Sequence, residues 1–299
     1  MKEIIITFNC GDDISRFVNE CEASFEKRLD EASEKIVKSG ASIILLSGPT
    51  CSGKTTTAQK IIDDFNKIGK GVTVVSLDNF FKDVKDTRVV SDKEIDYDSV
   101  DALDLDELEK FIKSIGVSNI IKEPVFDFLT QSRNGYIEHK ISENEVIIFE
   151  GIQAVYPEVT SLFGGNFIGI FISVMDDACI NGEIFKKDEI RLIRRIVRDI
   201  RFRGASADFT FYLWKSVRKN EEKSIYPNKN ICSVMLDSFM EYEIFLMKSY
   251  LSDALSKIPS DSQYFDEALS LMKKFDNIQE ISYDYIPENS LYTEFLGKK

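Results

Sequence analysis

Gly48-Pro49-Thr50-Cys51-Ser52-Gly53-Lys54-Thr55-Thr56-Thr57 follows the apolar run Ile43-Ile44-Leu45-Leu46 and leads into a helical pattern at Ala58. A glycine, four residues and then Gly-Lys-Thr is the spacing of a phosphate cradle. A glycine-rich turn between strand and helix lets consecutive backbone N–H groups converge on phosphate oxygens, assisted by the positive end of the helix. Lys54 then reaches the β- and γ-phosphates, the Thr55 hydroxyl ligates Mg²⁺, and Gly48 through Thr56 form the nucleotide-binding stretch. The loop alone does not say whether the phosphate is hydrolysed, transferred or only bound.

Periodicity places this stretch in a larger unit. Ile14, Phe17, Val18, Cys21, Phe25 and Leu29 recur at helical spacing, which predicts one or two amphipathic helices over Asp13–Lys38. A strand at 43–47, the loop, a helix at 55–68, a turn at Gly69-Lys70-Gly71 and a strand from Val72 then make a parallel α/β unit. Apolar runs at 146–149, 167–172 and 234–236 add buried strands, and helical patterns at 104–115, 188–202, 238–257 and 262–275 lie between or after them. The expectation is an α/β fold: a mainly parallel sheet sandwiched by helices in three layers. Residues 1–40 are expected to be a helical lead-in, and 41–299 one domain with a C-terminal helical extension.

Composition prunes the function classes. A formal net charge of −13 over 299 residues argues against general binding to nucleic acid or an anionic membrane. No apolar run reaches membrane-spanning length, and the start MKEIIITFNCGDD lacks the basic-then-apolar design of a secretion signal. Cys10, Cys21, Cys51, Cys179 and Cys232 are scattered without metal-like pairing, so free thiols in a cytoplasmic setting are expected. Cys51 reads as a small loop residue. The only histidine, His139, sits in the polar stretch IEHKISENE and reads as structural or surface, which excludes a histidine-rich metal site and leaves general-base work to carboxylates.

Two acids stand where parallel sheets gather ligands. Asp78 ends the stretch VVSLD, where it can take the proton of an attacking hydroxyl and touch the metal's water shell; Glu150 ends VIIFE and can hold Mg²⁺ directly or through water. Asp104 suits an N-cap, whereas Asp98 and Asp101 fit either capping or a ribose clamp. In EPVFDFLTQSR, Phe126 and Phe128 either stack on a flat base or join the core, with Asp127, Gln131 and Arg133 as polar partners. Arg191, Arg194, Arg195 and Arg198 fall on one helix face, with Ile190, Ile193, Ile196, Val197 and Ile200 opposite. Four guanidinium groups so crowded need an anion or acidic partners. A triphosphate is the economical candidate, which makes this helix an arginine-bearing lid.

Together GPTCSGKTT, SLDNFF, DYDSVDALDL, PVFDF with Arg133, VIIFEGI, RLIRRIVRDIRFRG, WKSVRKNEEKSIYP, DSFMEYEIFLMKSY and IPENSLYTEFLG resemble the uridine kinase and phosphoribulokinase family of P-loop kinases, over about Gly48 to Gly297. The closest likeness is to its bacterial uridine kinase-like group, which often carries an N-terminal threonyl-tRNA synthetase-like domain that this sequence is expected to lack. The resemblance implies a P-loop NTPase fold, Mg²⁺, ATP or GTP as donor and a nucleoside 5′-hydroxyl as acceptor, with a homo-oligomer left open. By position it implies Lys54 and Thr55 on phosphate and Mg²⁺, Asp78 as base, Asp98 on the ribose and Glu150 with the metal; the helix-face reading adds Arg195 and Arg198 as catalytic groups beside Lys54, and Arg191 and Arg194 on the nucleotide. Phe126 stands where such kinases commonly have a base-contacting tyrosine, Gln131 where they often have histidine, and Ala205 where arginine is frequent. A different small alcohol or sugar phosphate as acceptor, or a nucleotide-binding switch without transfer, are the competing readings.

Overall fold

The computed structural model describes residues 3–8, 13–86 and 96–298; Cys10 lies outside them. From the N-terminus β1 (Glu3–Ile6) is followed by α1 (Ile14–Ser39), β2 (Ile43–Ser47), α2 (Lys54–Lys67), β3 (Val72–Ser76), α3 (Leu105–Ser114), β4 (Ile120–Asp127), β5 (Ser132–Lys140) and β6 (Val146–Glu150). Then come α4 (Pro157–Thr160), β7 (Ile168–Ser173), β8 (Asp177–Ile180), β9 (Glu183–Phe185), α5 (Lys187–Arg203), α6 (Ala207–Asn220), β10 (Val234–Asp237), α7 (Glu243–Ser256), α8 (Phe265–Lys273) and α9 (Thr293–Leu296).

The main sheet has the order β10-β7-β2-β6-β3, and every pairing in it is parallel. Its strands alternate between two cores, as strands covered on both faces must. Ile44, Leu46, Ile148, Ile170 and Ile172 enter the core shared with α1, α2, α5 and α7. Leu45, Ile147, Phe149 and Phe171 enter the core on the α3 side. Chain order reverses around β2, so the crevice of this parallel sheet opens at the carboxyl end of β2. Register fixes what stands there: Leu46 lies opposite Glu150, and Glu150 opposite Ser76, two residues before Asp78.

α1 is one continuous helix, because Asp13 Oδ1 accepts the Arg16 N–H at 3.0 Å at its start and Gly40, at φ 66°, ends it. Two features escaped the periodicity. β1 joins β8 in parallel, with β9 antiparallel beyond, as a separate three-stranded sheet, so the lead-in carries a strand as well as a helix. β4 and β5 form an antiparallel hairpin. The helix expected from 238 begins at Glu243, since Asp237 Oδ1 instead accepts the N–H of Met175 and of Phe239 and fixes a turn after β10.

Candidate active site

The loop from Gly48 to Gly53 is shaped by contacts that only glycine allows. A Cβ on Gly48 would stand 2.1 Å from Ile172 O, and one on Gly53, at φ 93°, would stand 2.3 Å from Leu291 Cδ1. Four successive carbonyls of the loop accept from cations. Lys54 Nζ donates to Gly48 O (3.0 Å) and Pro49 O (3.3 Å), Arg191 Nη1 to Thr50 O (3.3 Å) and Arg194 Nη1 to Cys51 O (3.1 Å). Among the described residues no hydrogen bond is made by the backbone N–H groups of residues 50–53, and the buried Ser52 Oγ has no partner. Unsatisfied donors clustered at a helix start are what phosphate oxygens satisfy.

The two strand-end acids converge on Lys54. Burial pushes the Asp78 carboxyl up, against the pull of Lys54 and Arg203. Burial likewise raises Glu150; Lys54 opposes the rise, while the charges of Asp78 and Glu294 add to it. These carboxylates face each other and one ammonium, an arrangement of surplus negative charge that a hard cation would relieve. Among the described residues no group of three or more His, Cys, Asp or Glu could cage a metal.

Asp98 lies on the neighbouring wall. Burial first, then Asp96, lifts its carboxyl to about 6 although Arg195 opposes the rise, and the charges of Glu221 and Asp78 are also felt there. Its backbone is fixed by Tyr156 OH donating to Asp98 O at 2.8 Å. Asp101 is exposed and Asp104 caps α3 as expected, accepting from Glu107 N at 3.0 Å.

Several expected contacts stand elsewhere. Arg191 and Arg194 are both 0% exposed. Arg191 forks onto Glu221 at 2.6 and 2.7 Å, and Arg194 onto Glu243 at 2.5 and 2.7 Å. They brace the back of the phosphate loop through its carbonyls, and acidic partners supply the compensation expected from a triphosphate. α5 accordingly packs against α6, α7 and α9, with both its isoleucine face and these arginines buried. Arg195 and Arg198 share Asp199, at 3.3 and 2.8 Å, and retain slight exposure. Phe126 is 6% exposed and packs edge-on against Phe81 and Tyr97, whereas Phe128 is 55% exposed. Of the two stacking candidates, Phe128 is the one presented to solvent. Arg133 pairs with Asp104 at 2.5 Å, and Gln131, at φ 51°, gives its carbonyl to Val84 N.

A buried carboxylate that no motif marks stands behind Asp78. Glu123 of β4, 3% exposed, accepts from Ser76 N (3.0 Å) and Asn79 Nδ2 (2.7 Å) with one oxygen and lies 2.6 Å from His139 Nε2 with the other. It ties the hairpin to the turn that carries Asp78, and His139 is structural. Its one legible signal is an acid two residues after Ile121, on the strand's inward face. Glu123→Ala leaves two half-buried donors without their acceptor; it is expected to cost about 1–3 kcal/mol in thermal melts and to lower kcat by loosening the Asp78 turn. Arg203 and Glu294 lie within the quoted stretches RLIRRIVRDIRFRG and IPENSLYTEFLG, but only the fold brings their charges to Asp78 and Glu150.

The sheet and the loop at its crevice are those of a P-loop kinase. Residues 43–244 match the Phosphoribulokinase / Uridine kinase family, and the chain belongs to that family. A uridine kinase of Limosilactobacillus reuteri (strain DSM 20016) is 28% identical over 219 residues, covering 72% of this chain and 92% of that one. A uridine kinase of Mycoplasma genitalium is 31% identical over 175 residues, covering 58% and 74%. Among solved structures, that described as a possible uridine kinase from Bacillus stearothermophilus superposes with a TM-score of 0.50 at 17% identity, over 72% of this chain and 100% of the other, a likeness of fold. No helix of the described residues is long and apolar enough to cross a membrane.

Proposed function

We propose that the protein transfers the γ-phosphoryl group of ATP or GTP to the 5′-hydroxyl of a nucleoside, uridine or cytidine first among acceptors. The observation that carries the reading is the convergence of Asp78 and Glu150 on Lys54 beside a loop whose N–H groups at 50–53 lack partners. The loop binds the donor's phosphates, and Lys54 draws their charge toward the acceptor side. Asp78, its proton affinity raised by burial, takes the proton of the attacking hydroxyl. Arg195 and Arg198, not Arg191 and Arg194, offset charge on the transferred group, and Asp98 accepts the ribose hydroxyls. Thr55 and Glu150 would hold Mg²⁺, which screens the phosphate charge when bound. Phe128, with Gln131 and Arg133 at the hairpin, borders the base; Phe126 supports Phe128 from beneath, their centroids 5.2 Å apart. A panel of nucleosides and sugar phosphates incubated with MgATP tests this. Phosphorylated pyrimidine nucleoside as the main product supports it, and a phosphorylated sugar phosphate alone refutes it.

The carboxyl of Asp98, raised to about 6, makes acceptor binding depend on pH. Because its folded pKa lies above the ordinary value of 3.8, its contribution to stability is present below about 4 and fades as pH rises through about 6. Binding runs the other way, since only the ionised form accepts two hydroxyl hydrogen bonds. The acceptor KM is expected to rise about tenfold per pH unit below 6, and Asp98→Asn should have a high KM that no longer follows pH.

A further inference from the structure

Directly after Glu150 the chain passes through Gly151 into a short helical turn, Ile152–Val155, and this stretch touches three parts of the site. A Cβ on Gly151 would stand 2.8 Å from Leu77 Cβ, so the turn is pressed against the residue before Asp78. Ile152 O accepts from Ser47 Oγ at 3.0 Å, at the entry to the phosphate loop. Gln153 Nε2 donates to Tyr97 O and Tyr156 OH to Asp98 O, each at 2.8 Å. Two side chains from one turn thus hold two successive carbonyls of the loop that carries Asp98.

Both grips are made in the interior, where Gln153 is 0% and Tyr156 2% exposed. Among the described residues Gln153 Oε1 has no partner, and turning the amide round would set oxygen against oxygen at Tyr97. An apolar side chain would fill the same space without an orphaned oxygen; what it would lack is the donor to Tyr97 O. The Tyr156 ring belongs to the core on the α3 side, and only its hydroxyl reaches the loop. From the other side Asn220 Nδ2 donates to Asp96 Oδ1 at 2.9 Å, which also accepts the Asp98 N–H at 3.2 Å. The Asp98 carboxylate needs such support, because the charges of Asp96, Glu221 and Asp78 oppose it and only that of Arg195 favours it. The Tyr97 ring, on the same dipeptide, lies 4.9 Å from Phe81 and 5.9 Å from Phe128, so the grips also set one wall of the aromatic cluster.

We propose that Gln153 and Tyr156 are positioning residues for the acceptor: by holding the carbonyls of Tyr97 and Asp98 they set the Asp98 carboxylate against the acceptor's hydroxyls and tie it to the turn that bears Glu150. This rests on the reading of Asp98 given under the proposed function. Tyr156→Phe removes one hydroxyl, and Gln153→Met removes one donor at nearly constant length. Initial rates with MgATP and uridine or cytidine give the acceptor KM, calorimetry with Mg²⁺ and ADP gives the donor Kd, and each substitution is repeated on Asp98→Asn. The acceptor KM is expected to rise about five- to tenfold in each single variant, with kcat and the ADP Kd within about threefold of wild type. Neither substitution is expected to raise KM further once residue 98 is asparagine, because both act through the carboxylate. An unchanged KM, an equal rise on the Asp98→Asn background, or loss of ADP binding in parallel with KM overturns the positioning role. Wild-type protein that phosphorylates no nucleoside, or Asp98→Asn with a wild-type KM, overturns instead the reading of the acceptor site, and the inference with it.

Discussion

Asp78→Asn lowers turnover by about 10²- to 10⁴-fold, the range of a lost general base, or about 3–5 kcal/mol of barrier. The substitution keeps the shape of the side chain and removes only its ability to take a proton. Burial already disfavours the charge, though Lys54 and Arg203 favour it, and Glu150 is relieved of a like-charged neighbour. The melting temperature is therefore expected to hold or rise, and donor affinity to remain within a few fold. Turnover within threefold of wild type would remove Asp78 from the chemistry.

The largest stability effect is expected at Arg194. Burial works against its charge, but the Glu243 carboxylate outweighs this and holds the guanidinium more firmly protonated than usual. Cys51 O, Ser238 Oγ and Ser238 O take further donors, and the rings of Tyr292 and Phe295 cover it at 5.7 and 5.4 Å. Arg194→Met leaves Glu243 buried with only the Tyr292 hydroxyl, at 2.8 Å. Breaking one side of a buried pair costs about 3–5 kcal/mol, whereas replacing both sides by apolar groups is often neutral. The melting temperature should fall by about 10 °C, and adding Glu243→Leu should recover much of the loss. A variant with wild-type melting and weakened donor binding would return Arg194 to the nucleotide.

These two residues mark where the sequence was legible. Asp78 can be singled out from sequence because strand, turn and acid are contiguous, whereas the register that sets Ser76, Glu150 and Leu46 at one level belongs to the fold. The strand, loop and helix around Lys54 are equally local. The arginine stripe was recognised as a charge cluster needing compensation, but its partners come from distant chain: Glu221 lies 30 residues beyond Arg191 and Glu243 lies 49 beyond Arg194. No periodicity reveals such pairings. β1 was invisible for the same reason, being four residues long with its partner β8 beyond position 170. Phe126 was ambiguous because an inward strand position and a base platform call for the same side chain; burial in the aromatic cluster distinguishes them.

Under the proposed function, phosphoryl transfer depends on a nucleoside. It is tested most directly by counting ADP released against nucleoside 5′-monophosphate formed, with MgATP and uridine or cytidine. One 5′-monophosphate per ADP and negligible ADP without nucleoside are expected. ADP release at the same rate with and without nucleoside, and no monophosphate, would contradict it.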